Sequence, residues 1–256
     1  MQLPADPRDA QNNVRSIALG PVIPQVEAFK TRFGIPKHTT AFGMTEAGIV
    51  TGAGWDPPNV ATCGKPRVGS PGYELRVVDE FAEEVPVGTV GELIVRCDEP
   101  WCMNVGYWKM PDKTAEAWRN GWYHTGDAFK VDADGYMYFV DRIKDAIRRR
   151  GENISSFEVE GIVNQHPSVQ ETAAIGVPSE LGEDDVKIHV VIKPGETLTA
   201  PELAAFLDTR MPRFMQPRYI EFVDAFPKTD ATFRTQKVRL REQGFNANTW
   251  DRQANP

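Results

Sequence analysis

The sequence predicts a mixed α/β and α+β chain in two parts: a β-rich part over residues 1–141 and a small α+β domain over 142–256. Three observations carry this. Short apolar runs of strand length, separated by Gly- and Pro-bearing turns, fill the stretch up to about Val140. Two capping boxes, Ser155-Ser156-Phe157-Glu158 and Thr199-Ala200-Pro201-Glu202, open helical segments further on. From residue 156 the order is helix, strand, strand, helix, strand, a unit of about 110 residues that can bury its own core.

Taken in order, Val26, Phe29 and Phe33 recur at helical spacing after Pro24. A Gly/Pro-rich stretch runs from Gly43 to Gly72. Tyr73–Val78 and Gly91–Val95 read as strands around the turn Val85-Pro86-Val87-Gly88. Pro111 to Trp118 reads as a helix with proline near its start, where a missing N–H is harmless. Ala128–Val131 and Tyr136–Val140 flank Asp132-Ala133-Asp134-Gly135 and form a hairpin. That Asp-x-Asp-Gly string lacks the preceding acidic ligand and the distal Glu of a calcium loop, so it reads as a turn. The domain boundary is expected near Asp141–Asp145. Beyond it, the capped helices run to about His166 and about Met211. Thr172–Val177, Val186–Lys193 and Tyr219–Val223 read as strands.

Lys plus Arg number 29 and Asp plus Glu 36, a net charge of −7, which argues against nucleic acid as a general partner. No apolar run reaches the roughly 18 residues of a transmembrane segment. The polar stretch Met1 to Ala10 does not read as a signal peptide, so a cytoplasmic location is expected. Cys63, Cys97 and Cys102 fit no zinc spacing and read as reduced thiols. No oligomeric state is implied.

Four segments could carry chemistry. In Phe42-Gly43-Met44-Thr45-Glu46 the glycine allows close backbone approach, the Thr hydroxyl can donate to phosphate, and the Glu can hold magnesium. Alone, this string reads more readily as a turn and a helix cap. Tyr123-His124-Thr125-Gly126-Asp127 sets a carboxylate at a strand entrance, where it can accept from both hydroxyls of a ribose or simply cap a turn. Arg148-Arg149-Arg150, followed by Gly151-Glu152-Asn153, is a solvated face or a phosphate holder. Pro227-Lys228-Thr229 and Thr235-Gln236-Lys237-Val238 place lysines in a late loop.

Together and in this order the segments resemble the adenylate-forming superfamily: acyl-CoA synthetases, luciferases and the adenylation domains of peptide synthetases. Phe42–Glu46 matches the aromatic-Gly-x-Thr-Glu motif. Gly91-Glu92-Leu93 with Gly106-Tyr107-Trp108 matches the Gly-Glu-Leu…Gly-Tyr-Trp segment. Tyr123–Asp127 matches aromatic-x-Thr-Gly-Asp, and Arg142–Glu160 the segment running from the domain junction through Gly-x-Asn-Ile. Arg150–Ser155 and Glu99-Pro100-Trp101 look most like crotonobetaine/carnitine-CoA ligase-type sequences.

The resemblance implies the end of the large adenylate-forming domain over 1–141 and the small mobile C-terminal domain over 142–256. It implies an AMP-forming acid–CoA ligase whose partners are a carboxylic acid, ATP, magnesium and coenzyme A. The acid attacks the α-phosphorus to give an acyl-adenylate and pyrophosphate. The small domain then rotates and the CoA thiolate displaces AMP. By position, Thr45 would contact the α-phosphate and Glu46 bind magnesium. Phe42 with Gly43, and Leu19-Gly20-Pro21, would pack around the adenine. Asp127 would hold the ribose with Arg142 beside it. Lys144 falls at the hinge, Gly151 in the loop lining the pantetheine channel, and Lys237 at the lysine that binds the acyl carboxylate and α-phosphate.

Two departures accompany the resemblance. No Ser/Thr/Gly-rich phosphate loop ending in Pro-Lys occurs in the 256 residues, and Gly64-Lys65, followed by Pro66 and with Asn59 at the offset position, is no Walker loop. A partial enzyme, inactive alone, is therefore expected; a non-catalytic remnant or interaction module is the alternative. The second departure is spacing. The family's lysine follows Pro-x-Thr closely and is preceded by Gly, whereas Asp230–Arg234 intervene here and Gln236 stands in the glycine's place. Lys228 competes for the role. Lys237 is favoured because Lys237-Val238-Arg239-Leu240-Arg241 continues the expected pattern.

Overall fold

A computed structural model describes residues 4–20, 25–69, 71–180, 182–230 and 233–254. Pro21 and Pro24 lie outside the described residues. The chain divides into two compact units, Met1–Val140 and Asp141–Pro256.

In the first unit, helix α1 (Val26–Phe33) buries Val26 and stops at Gly34, whose φ of 65° is the left-handed conformation glycine adopts freely. The main sheet is built from β1 (Tyr73–Val78), β2 (Gly91–Cys97), β3 (Trp122–Val131) and β4 (Met137–Arg142), in the order β4-β3-β2-β1. A two-residue strand, Trp118–Arg119, follows helix α2 (Pro111–Ala117) and pairs with β3. Val77, Leu93, Val95, Phe129 and Met137 fill the core beside Ala47 and Val50. Phe129 meets Phe42 edge-on at 4.8 Å and Phe139 at 5.7 Å. The third strand begins at Trp122 rather than Ala128. A register shift between His124 and Ala128 breaks the alternation that would have revealed its first half.

In the second unit, β5 (Ile147–Arg149) and β6 (Glu152–Ile154) form a hairpin ahead of helix α3 (Ser156–Val163). A four-stranded sheet follows: β7 (Val169–Pro178) antiparallel to β8 (Asp184–Ile192), β8 parallel to β9 (Tyr219–Phe222), and β9 antiparallel to β10 (Trp250–Asp251). The parallel step requires a crossover, which helix α4 (Ala200–Asp208) supplies. Helix α5 (Lys237–Gln243) closes the unit where a loop was expected. Thr199 and Glu202 form the reciprocal capping box. Both capped helices end about one turn early, at Val163 and Asp208, because His166 and Met211 each precede a proline, which disfavours the α conformation. Ile188, Val190, Leu203, Leu207 and Ile220 are the centre of the core.

The sheet also buries charge. Lys187 and His189 are fully buried on β8, with Glu221 beside them on β9. The Lys187 ammonium lies 2.7 Å from Glu221, whose carboxylate also accepts from Asn246 (2.7 Å) and Thr249 (2.8 Å). Neither ring nitrogen of His189 has a hydrogen-bond partner. Burial, reinforced by the Lys187 charge and opposed by Glu221, pushes its pKa down to about 4. An unfolded histidine titrates near 6.5, so in the window from about 6.5 to 4 the unfolded chain takes up a proton that the folded chain refuses. The neutral imidazole's stabilising contribution is full above the unfolded pKa and is lost as pH falls toward 4. Unfolding free energy should decline there by up to about 1.4 kcal/mol per pH unit from this group. His189→Gln should flatten that part of the pH profile in denaturant titrations; an unchanged profile would refute the assignment.

Candidate functional site

In the first unit, Gly43–Met44 and Gly48–Ile49 pair as a miniature hairpin. A Cβ on Gly43 would lie 2.6 Å from the Gly48 carbonyl oxygen, so no larger residue fits this approach. The turn between the two strands carries Thr45, which is exposed, and Glu46, which is half-buried. Two contacts fix Glu46: its carbonyl accepts from the Asn104 N–H (2.7 Å) and its Oε1 accepts from the Tyr107 hydroxyl (3.0 Å). The Tyr107 hydrogen is thereby committed, so the Tyr123 hydroxyl, 2.7 Å away, donates to Tyr107. Burial raises the pKa of both phenols, and the neighbouring Glu46 carboxylate adds to the rise in each, so both keep the hydrogens this relay needs. Tyr107 is itself held: its N–H donates to Thr114 Oγ1 on α2 at 2.9 Å. Among the described residues no side chain binds Glu46 Oε2. An oxygen held in place on a half-exposed turn suits a hard cation such as magnesium.

Asp127 sits on the register shift of β3 and is 7% exposed. The shift is built by two partners on β2. Glu92 Oε1 accepts from the Gly126 N–H (3.0 Å), while Oε2 lies 2.8 Å from His124 Nδ1. The Thr125 hydroxyl donates to the Leu93 carbonyl (2.7 Å) and accepts from the Asp127 N–H (3.1 Å). Gly126 has φ 68°, and a Cβ on Gly91 would meet the Val78 carbonyl oxygen at 2.4 Å. The sequence marks Glu92 only as part of the Gly91-Glu92-Leu93 match and gives it no role; its carboxylate clamps the bulge that presents Asp127. Gly20 lies against the Ala41 carbonyl, one residue from Phe42. Phe42 turns into the core against Phe129. A further set of ligand-type side chains, Glu27, His38 and Asp56, is closed by the Lys30 ammonium, 2.7 Å from Asp56 and 3.2 Å from Glu27.

In the second unit, Arg142 ends β4 half-buried, and its N–H donates to Asp141 Oδ1 (2.7 Å). Lys144 is exposed in a single 3₁₀ turn, Ile143–Asp145. Arg241 brackets this turn, donating to the Lys144 carbonyl (3.3 Å) and to Asp145 (2.8 Å). Arg150 and Gly151 form the two-residue β5–β6 turn with φ 53° and 81°, the backbone of a type I′ hairpin. Glu183 accepts from the Gly151 N–H at 2.9 Å. In the arginine run Arg148 and Arg150 are exposed and Arg149 is not. Arg149 is buried, donates to the carbonyls of Phe214 (3.0 Å) and Gln216 (2.8 Å), and pairs with Asp185 at 3.1 Å. The two lysines are engaged as well. Lys237, the first residue of α5, donates to Ser156 Oγ (2.6 Å) and pairs with Glu160 (2.7 Å). Burial pushes the Glu160 carboxyl up, and Lys237 partly counters it. Lys228 pairs with Glu171 at 2.8 Å.

Residues 5–108 match the family model of the AMP-binding enzymes, and residues 158–232 that of the AMP-binding enzyme C-terminal domain. The chain is 35% identical over 233 residues to the crotonobetaine/carnitine–CoA ligases of Citrobacter koseri and Proteus mirabilis, covering 89% of itself and 44% of each. It thus spans less than half the length of these relatives. Among solved structures it resembles the anthranilate CoA ligase AuaEII in complex with anthranoyl-AMP: TM-score 0.77, 30% identity, 93% of this chain and 46% of that one. ATP-bound MatB from Rhodopseudomonas palustris is similar at a TM-score of 0.75 and 29% identity, covering 90% of this chain and 45% of that one. The two family models, in their expected order, together with the shared fold, mark this chain as a partial adenylate-forming fold of the AMP-binding enzymes.

Proposed function

We propose that the complete protein carrying this chain is an AMP-forming acid–CoA ligase. The observation that supports this most is the hairpin turn on which the Tyr123–Tyr107–Glu46 relay orients one carboxylate, with a second, Asp127, set by the Glu92 clamp. In this reading the Thr45 hydroxyl donates to the α-phosphate, and Gly43 lets the backbone approach it. Gly20 and the backbone at Phe42 flank the adenine, the Phe42 ring being turned into the core. Asp127, with two acceptor oxygens, takes the ribose hydroxyls, and Arg142 is a further contact to the nucleotide. Glu46 holds magnesium, which, when bound, offsets the charge of the phosphates. Lys144 is the hinge, and Gly151 lines the pantetheine channel. A cation from the segment after Pro227 offsets the repulsion between the acid's carboxylate and the α-phosphate, charge stabilisation of the kind that supplies much of such rate enhancements.

The test screens carboxylic acids with the complete protein, following ATP–pyrophosphate exchange and then AMP release with and without CoA. Exchange that depends on the acid and AMP release that depends on CoA are expected. A folded protein silent in both with every acid would favour the non-catalytic alternative. The 256-residue chain alone should give no exchange above background, because its sequence holds no phosphate loop to organise the β- and γ-phosphates. Clear exchange by the isolated chain would overturn that expectation.

A further inference from the structure

We infer that Arg234, not Lys237, is the cation the second unit contributes to acyl-adenylate formation, an assignment that rests on the ligase reading above. Three lines of observation converge on it.

The first is availability. Lys237 is held by Ser156 and Glu160, with its side chain 15% exposed. Drawing it out would leave Glu160 buried without its counter-charge, which is strongly destabilising. Lys228 is held by Glu171 and Arg241 by Asp145. Arg234 is exposed, and among the described residues its guanidinium has no partner. Arg239 is exposed too, but it projects from the regular helix α5, whereas Arg234 stands on the preceding loop.

The second is backbone strain. Phe233 has φ 52° and is 75% exposed. The left-handed conformation strains a residue that carries a Cβ, and here the aromatic ring buries little in return. Strain kept without compensating packing is a mark of functional segments. The loop is stitched at its base, which imposes that conformation. Phe233 N–H donates to the Thr229 carbonyl (3.0 Å), and Thr229 N–H to the Arg234 carbonyl (2.9 Å). Arg234 N–H donates to Thr229 Oγ1 (3.1 Å), and Gln236 Nε2 to the Lys228 carbonyl (2.8 Å).

The third is the register of the motif. The expected cation follows a glycine. Gln236, before Lys237, has φ −87° and needs none of glycine's freedom. Phe233 adopts a glycine's backbone, and the residue after it is Arg234.

The chemistry accommodates an arginine. A carboxylate oxygen forms a bond to the α-phosphorus, the bond from that phosphorus to the bridging oxygen breaks, and pyrophosphate leaves with the electron pair. No proton moves, so the cation need only hold charge. A guanidinium does so at every working pH and offers a fork to two oxyanions.

The test compares Arg234→Ala, Arg234→Lys, Lys237→Met and Arg239→Ala in the complete protein. Three quantities are followed: single-turnover acyl-adenylate formation, AMP release from synthetic acyl-adenylate plus CoA, and melting temperature. Arg234→Ala should lower adenylation about 10²–10³-fold while the second half-reaction stays within about threefold. Arg234→Lys should restore part of the rate at pH 8 and lose it near the lysine pKa of about 10.4, an alkaline limb the parent lacks. Lys237→Met should lower the melting temperature, with an adenylation loss per folded molecule at least about tenfold smaller than that of Arg234→Ala. Arg239→Ala should match the parent. A larger loss in Lys237→Met, or Arg234→Ala indistinguishable from Arg239→Ala, overturns the assignment of Arg234 alone. A parent protein that forms no adenylate with any acid overturns the ligase reading and this inference with it.

Discussion

Glu221→Ala should destabilise the protein by about 3–5 kcal/mol, the range found when one partner of a buried ion pair is removed. The cause is what remains. Lys187 is fully exposed to the loss: its ammonium is 0% solvent-accessible, and its other polar contact is the Gly244 carbonyl. Asn246 and Thr249 would lose their acceptor at the same time. Burial works against the ionised Glu221 carboxylate, but hydrogen bonds from Lys187, Thr249 and Asn246 hold its pKa below the ordinary value, so that carboxylate is charged at neutral pH. Guanidinium unfolding measures the effect. The double variant Lys187→Met/Glu221→Leu should recover most of the loss, because a buried pair replaced by apolar groups of similar volume is often neutral. A single-variant loss below about 1 kcal/mol would mean that the ammonium finds another partner.

Lys144→Pro should separate the two half-reactions of the complete protein. Hinges are a few element-terminal residues that absorb large φ/ψ changes, and Lys144 occupies a lone 3₁₀ turn between two strands. Proline fixes φ near −65°. Adenylation should survive, while thioester formation, which on the ligase reading needs Gly151 and its turn at the active site, falls by about 10²-fold. Measuring both half-reactions beside the melting temperature decides the matter. A parallel fall in both rates with a lower melting temperature would mark Lys144 as an ordinary surface residue.

What could be read from the sequence was what local chemistry writes. The Thr199–Glu202 box and the apolar runs of β7 and β8 announce themselves within a few residues. The β5–β6 hairpin was hidden by its charges. Ile147 and Arg149 both face inward, but an inward arginine looks solvated until its partners, Asp185 and the carbonyls of Phe214 and Gln216, are known. The alternation Ile147-Arg148-Arg149 was the available signal. Motif order located Glu46 and Asp127, but not what holds them, because Tyr107 and Glu92 lie 61 and 34 residues from their hydrogen-bonding partners Glu46 and Gly126. The seven-residue helix α5 is not announced by its start, because Gln236 makes no side-chain cap, and the contact of Lys237 with Ser156, 81 residues away, leaves no record in spacing along the chain.

The buried lysine also orders events during synthesis. Lys187 leaves the ribosome with β8, yet the groups that satisfy it arrive much later: Glu221, then Gly244, whose carbonyl is 57 residues downstream, then Asn246 and Thr249 behind Glu221. Until about residue 250 has emerged, the nascent sheet would have to bury an ammonium with incomplete compensation, so the second unit cannot settle strand by strand as it appears. Its folding is therefore gated by emergence of the stretch from Gly244 to Thr249, and a nascent chain stalled before that point presents an open, hydrated β8 to whatever holds unfinished chains.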